Sequence, residues 1–159
     1  MAKKWHLAQL NVGTIKYPQE DPRMVGFMSR LDEINSLADQ SPGFVWRMQS
    51  DSGNATDIDV GGEPLFLANM SVWESPDALF QFVYKSMHRE VMVKRSNWFE
   101  LAQDIYQVLW WIPAGHTPTA QEGMYRLDLL KKNGPIPEAF TFKARFPSPE
   151  NEELGGKSV

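Results

Sequence analysis

The feature that most limits what this chain can fold into is the order in which its hydrophobic periodicity changes. "WHLAQLNVG" alternates, with Ala8, Leu10 and Val12 on one side and Leu7, Gln9 and Asn11 on the other, a period of two that predicts a strand. After the Pro-bounded "YPQEDP", apolar residues recur at helical spacing (Val25, Met28, Leu31, Ile34, Leu37 and Ala38), which predicts a helix from about Arg23 to Gln40, stopped by Ser41-Pro42-Gly43. "FVWRMQS" and "LFLANMSVWE" predict two further strands, joined by the polar, Gly-rich "DSGNATDIDVGGEP". Ser75 and Pro76 form a helix start before a helical stretch from Asp77 to about Leu101, and "IYQVLWWIP" predicts the fourth strand. The order β-α-β-β-α-β is that of the split-βαβ, ferredoxin-like α+β fold, a four-stranded antiparallel sheet with two helices on one face.

A third helix follows, opened by a capping-box pattern at Thr119 and Glu122, continuing to Lys132 and ended by Asn133-Gly134-Pro135. "AFTFKARF" alternates Phe140, Phe142 and Phe146 with polar residues and suggests a short extra strand or extended arm. Residues 1–147 therefore read as one domain, and 148–159, polar and Gly-bearing, as a disordered tail. The expected second face of the sheet needs a cover. A homodimer that closes two sheets into a barrel is the economical one, giving a dimeric α/β barrel with a C-terminal helix and arm.

Composition narrows the function. With 16 basic and 20 acidic side chains and no basic run, the chain lacks the clustered cations that neutralise phosphates, so no nucleic-acid partner is expected. The absence of cysteine removes disulfides, thiolate metal sites and Cys nucleophiles, and fits a reducing, cytoplasmic setting. His6, Gln9 and Asn11 interrupt the N-terminal apolar run, so no signal peptide is read there, and no apolar stretch is long enough for a membrane span. The familiar phosphate-loop, dinucleotide, nucleophile-elbow and zinc-protease motifs are absent, and Asp51, Asn54, Asp57 and Asp59 do not have calcium-loop spacing.

What remains is one sheet face. Ala8, Leu10, Val12, Ala68, Met70 and Val72 suit packing against the two helices; the opposite face carries Gln9, Asn11, Asn69, Ser71 and Trp73. Carboxamides, a hydroxyl and tryptophan (Trp46, Trp73, Trp110 and Trp111 lie on the same strands) resemble the lining of a pocket with a few oriented polar groups, here the concave face of the barrel; a solvated sheet face is the plain alternative. Arg47 is placed to bind an anion or to pair with an acid. In "VYKSMHREV", a continuous helix would put Glu90 into the apolar stripe, a costly position, so a break near Ser86 is expected, with His88 in the first turn of a new segment. There the helix dipole favours a neutral imidazole, as a general base or metal ligand requires. His116, in a Gly- and Pro-bounded turn, either contacts a ligand or caps the next helix, and three histidines without short spacing make no recognisable metal site.

"LAQLNVG", "SPGFVWRMQ", "SVWESPDAL", "FVYKSMHREV", "NWFE" and "VLWWIPAGHTPT" together resemble an uncharacterised bacterial family of unknown function within the dimeric α/β-barrel superfamily, alongside antibiotic-biosynthesis-type monooxygenases. The resemblance runs from about Trp5 to Pro147 and implies the ferredoxin-like fold and the sheet-to-sheet homodimer. It also implies two chemistries. Antibiotic-biosynthesis-type members oxidise aromatic polyketides with O2 and no cofactor, helped by Asn and Trp side chains to which Asn11, Asn69 and Trp73 are similar. Heme-degrading members hold heme through a helix histidine and a first-strand asparagine, to which His88 and Asn11 are similar; Phe82 stands near where those proteins carry a tryptophan. The leading expectation is a monooxygenase-like enzyme with no cofactor and a small apolar or aromatic ligand. Asn11, Asn69 and His88 would be catalytic, and Gln9, Trp46, Arg47, Ser71, Trp73, Phe82, Trp111 and His116 would line the site. Heme binding through His88 and a non-catalytic binding module are the alternatives.

Overall fold

The computed structural model describes residues 4–18, 20–49, 65–86, 97–101 and 104–149. Four strands, β1 (Trp5–Thr14), β2 (Phe44–Arg47), β3 (Phe66–Trp73) and β4 (Gln107–Pro113), form one antiparallel sheet in the order β2-β3-β1-β4. Helices α1 (Val25–Gln40) and α2 (Pro76–Ser86) occupy the two crossovers, and α3 (Ala120–Asn133) follows β4. This is the ferredoxin-like α+β arrangement expected from the order of periodicities. The pairing of β1 with both β3 and β4 makes it a central strand, which is why Leu7 through Leu10 are buried without a gap.

Local signals behave as chemistry requires. Asp21 accepts from the Arg23 backbone at 2.9 Å and starts the 3-10 turn that leads into α1. Ser75 Oγ accepts from Ala78 N at 3.1 Å, and Thr119 Oγ1 accepts from Glu122 N at 3.1 Å. Gly134 ends α3 at φ +71°, the left-handed region that favours glycine.

The two faces of the sheet are exchanged relative to the sequence reading. Ala8, Leu10, Val12, Ala68, Met70 and Val72 do pack on a helix, but it is α3: they share a buried cluster with Leu127 and Leu130. Gly123 permits the approach, since a Cβ there would lie 3.2 Å from Leu10 Cδ2 and from Met70 Sδ. The face bearing Leu7, Gln9, Asn11, Ser71 and Trp73 is the one under α1 and α2, where Leu7, Trp73 and Leu109 cluster with Ala38 and Leu79. The expected open concave face is therefore not where the polar residues sit, and α3 supplies within one chain the cover that a second copy was invoked to provide.

Three element boundaries also differ. The inward stripe of α1 runs through Asn35 and Ala38, leaving Val25 60% and Leu37 37% exposed, because the stripe begins one residue earlier, at the fully buried Met24. The helical stretch does not reach Leu101: Phe99 bridges Ile15, Lys16 N donates to Trp98 O at 2.8 Å and Glu100 N donates to Thr14 O at 2.8 Å, so this segment is held as an extension of the β1 end. The aromatic arm makes no full strand. Phe140 forms a single bridge to Leu109 at the β4 edge, and Phe140, Phe142 and Phe146 then cross to the α1/α2 side beside Trp111. The connection 51–64, the expected break with Glu90 and His88 beyond Ser86, and residues 150–159 of the tail lie outside the described residues. No helix among the described residues is long and apolar enough to cross a membrane.

Candidate functional site

The β1–β3 register places Leu7 opposite Trp73, Gln9 opposite Ser71 and Asn11 opposite Asn69. Alternation puts all six side chains on the face beneath the helices. Three rungs of polar and aromatic residues thus line up where a ferredoxin-like domain ordinarily has only core. They survive burial because they satisfy one another. Gln9 Nε2 donates to Asn69 Oδ1 at 3.0 Å and to Ser71 Oγ at 2.9 Å, Asn11 Nδ2 donates to Gln9 Oε1 at 3.1 Å, and Trp73 Nε1 donates to Ser71 Oγ at 2.8 Å. Gln9 is 3% exposed and Trp73 is fully buried, so each of these groups would cost about 1–3 kcal/mol if left unpaired.

The ladder has a dry end and an open end. At the dry end Trp73 stacks on Phe82 of α2 (centroids 5.0 Å, planes 24° apart) and meets Phe44 edge-on at 5.4 Å. At the other end Asn11 and Asn69 are only partly buried. Among the described residues, the Asn69 amide nitrogen and the Asn11 carbonyl oxygen make no hydrogen bond to protein. These are an unused donor and an unused acceptor at the partly exposed end of the ladder. The ladder side chains and Phe82 are uncharged, so recognition by them depends on hydrogen-bond direction and shape.

The structure therefore brings together Gln9, Asn11, Asn69, Ser71, Trp73 and Phe82. Trp111 shares their sheet face but stands under the aromatic arm, its indole donating to Phe146 O at 2.9 Å. Trp46 packs with the α3 cluster on the opposite face. Arg47 is engaged by Asp39, with Nε 2.8 Å from Oδ1, which is the acid pairing its sequence context offered. His116 lies 2.7 Å from Glu122 Oε1, while the second oxygen of Glu122 accepts from the buried Trp110 indole at 2.9 Å. His116 thus braces the start of α3, away from the ladder. His88 lies outside the described residues.

Two residues near this layer do not stand out in the sequence. Asn35 is buried in the inward stripe of α1, which a helical-wheel projection centred on Met24 and Ala38 shows as a polar residue turned toward the sheet. Phe44 reads in the sequence only as part of a strand. A separate open cleft of about 560 Å³ lies at the strand end, lined by Lys4, Trp5, Glu74, Trp111 and Arg145 among others. It does not include the ladder. Among the described residues, no three His, Cys, Asp or Glu side chains come together as a metal set would require.

No curated protein matches the chain. Among solved structures, a protein of unknown function (NE2512) from Nitrosomonas europaea is similar with a TM-score of 0.46 and 9% identity, covering 74% of this chain and 96% of that one. SnoaB, a cofactor-independent oxygenase from Streptomyces nogalater, is similar with a TM-score of 0.39 and 13% identity, covering 70% of this chain and 95% of that one. MupZ from Pseudomonas fluorescens is similar with a TM-score of 0.41 and 11% identity, covering 94% of this chain and 93% of that one. A family model matches residues 6–155, nearly the whole chain, and by that match the protein belongs to the family described as a domain of unknown function, DUF3291.

Proposed function

We propose that this protein binds a small planar, largely apolar molecule bearing an oxygen substituent, between the polar face of the sheet and helices α1 and α2, and oxidises it with O2. The observation that carries the reading is the ladder itself: polar groups satisfied at the buried end, and a free donor on Asn69 and a free acceptor on Asn11 at the partly exposed end. The partly buried Phe27, Leu67 and Phe99, which pack together beyond that end, would take the ring system. The Asn69 amide would donate to a phenolate or enolate oxygen, stabilising the ionised form that reacts with O2. For an enolisable methylene, both carbon–hydrogen bonds break and a carbonyl forms to one atom of O2. The other oxygen atom leaves as water with the two hydrogens, so the carbon is oxidised and both atoms of O2 are reduced. The oxidation rests on the superfamily resemblance read from the sequence. His88, proposed on sequence grounds as a proton carrier, enters no step here.

The test is to incubate the protein with naphthols and anthrones while following O2 uptake and quinone formation. Saturable uptake that falls by about 10²-fold in Asn69→Ala is expected for loss of a donor to a developing oxyanion. Binding without O2 uptake would leave a non-catalytic binding module, and no binding at all would remove the reading. A homodimer is proposed on the family resemblance alone, because α3 occupies the face that argued for it; a single monomeric boundary in sedimentation at micromolar concentration would contradict it.

A further inference from the structure

The contacts of the ladder are compatible with two directions of donation. In the first, Gln9 Nε2 donates to Asn69 and to Ser71, and Asn11 donates to Gln9 Oε1. Ser71 Oγ then accepts twice, from Gln9 at 2.9 Å and from the Trp73 indole at 2.8 Å. Both lone pairs are engaged, and among the described residues the hydroxyl proton has no acceptor, although Ser71 is only 7% exposed. Turning the three carboxamides by a half-turn about their last side-chain bonds exchanges nitrogen and oxygen at the same positions. Ser71 then donates to Gln9 Oε1 and still accepts from Trp73, Asn69 Nδ2 donates to Gln9 Oε1, and Gln9 Nε2 donates to Asn11 Oδ1. Every contact survives, and the hydroxyl proton is used. An orphaned buried hydroxyl biases such an equilibrium by about five- to 150-fold.

The two directions present opposite faces to a ligand. In the fully satisfied direction Asn69 turns its carbonyl outward, an acceptor, and Asn11 its NH2. In the other Asn69 turns out its NH2 and Asn11 its carbonyl, and the Ser71 proton is also free. We propose that Gln9 is the positioning residue that couples these orientations: the ligand-free site rests with Asn69 as an outward acceptor, and a ligand oxygen that can only accept, a phenolate or enolate, turns Gln9, Asn69 and Asn11 together. This rests on the ligand class proposed above, but the resting orientation does not. The consequence is selectivity. For an oxygen held at Asn69, a phenol O–H binds the resting state as a donor, and its ionisation in place leaves the phenolate facing the Asn69 carbonyl until the ladder reverses, so ionisation and reversal at that position are coupled through one glutamine.

Neutron diffraction from crystals of the deuterated full chain reads the orientations directly. In ligand-free crystals the Ser71 deuteron is expected on the line to Gln9, with the Asn69 deuterons facing Gln9; two Gln9 deuterons directed at Asn69 and Ser71 would overturn the proposal. In crystals soaked with 1-naphthol at a pH above its ionisation, the reversed arrangement is expected, whereas naphthalene should leave the resting one. Naphtholate bound against an unturned ladder would also overturn it. If neither aromatic binds, the ligand reading fails while the ligand-free result still judges the resting orientation. In solution, the Gln9→Glu variant supplies only acceptors at neutral pH and holds Asn69 and Ser71 as donors toward position 9. Affinity for 1,4-naphthoquinone, whose oxygens only accept and which carries no charge for the introduced carboxylate to repel, should drop at least about tenfold in that variant with naphthalene affinity unchanged, as expected when Asn69 is held inward as a donor. Equal losses for both ligands would mean a merely structural role and would refute the coupling.

Discussion

Ser71→Ala isolates the interaction on which the buried layer depends most. The hydroxyl takes the Trp73 indole N–H at 2.8 Å and shares a hydrogen bond of 2.9 Å with the Gln9 carboxamide, in a region where Trp73 is fully buried. Gln9 keeps Asn69 and Asn11 as partners after the change, but Trp73 has no other acceptor among the described residues. The expected loss is that of one orphaned buried donor, about 1–3 kcal/mol, since removal of one oxygen atom leaves little cavity. For a chain of this size, a loss of about 2 kcal/mol lowers the melting temperature by about 4–8 °C. Urea melts followed by circular dichroism read the change, and Trp73→Phe, which deletes the donor, supplies the partner for a double-mutant cycle. Ser71→Ala in the Trp73→Phe background should cost at least about 1 kcal/mol less than in the parent. A loss below about 0.5 kcal/mol in the parent, or strict additivity, would show that the indole does not depend on Ser71 and that the layer is not dry.

Gly43→Ala should destabilise by at least about 2 kcal/mol in the same melts, because the residue sits at φ +83° and its new Cβ would lie 2.5 Å from Ala78 Cβ; a near-neutral result would contradict the close seating of α2 on the turn before β2. Glu122→Ala strands the buried Trp110 indole and should cost about 1–3 kcal/mol, whereas His116→Ala, removing the exposed partner, should cost less than about 1 kcal/mol. The Arg23 guanidinium and backbone hold the Asp21 carboxyl down from its ordinary 3.8 to about 2. A carboxyl lowered in the folded state contributes stability that is present above its unfolded value and lost as the pH falls through about 2, so an NMR titration of Asp21 should show its midpoint there and Arg23→Gln should return it toward the ordinary range.

Alternation and helical spacing made the fold legible, because β1, β3 and both crossover helices each follow a single period. What they could not say was which helix covers which face. Ala8, Leu10 and Met70 are small or flexible enough to meet any helix, and the decision was made by Gly123 on α3, whose missing side chain lets that helix close on Leu10 and Met70. The polar residues of the site were likewise visible as a set, since strand alternation groups Gln9 with Asn11 and Asn69 with Ser71 and Trp73. Their joining into one ladder depended on the β1–β3 register, a long-range property that no local pattern encodes. Arg47, Trp46 and His116 looked equally site-like as residue types; Asp39, the α3 cluster and Glu122 claimed them instead, through contacts set by tertiary packing. Phe99 falls within the helical stretch read from the sequence, but backbone pairing to the end of β1 holds it just after the helical Asn97 and Trp98.

The central claim is that a small aromatic oxygen compound binds against the ladder. The most direct test is a titration of uniformly 15N-labelled protein with 1-naphthol, followed through the backbone and side-chain amide resonances. Saturable shifts of the Asn69 and Asn11 amides, abolished at position 11 when Asn69 is replaced by alanine and the ligand no longer binds, are the result expected. Shifts confined to backbone amides around the cleft of Trp5, Trp111 and Arg145, with Asn69 and Asn11 unmoved, would place the ligand elsewhere and contradict the account.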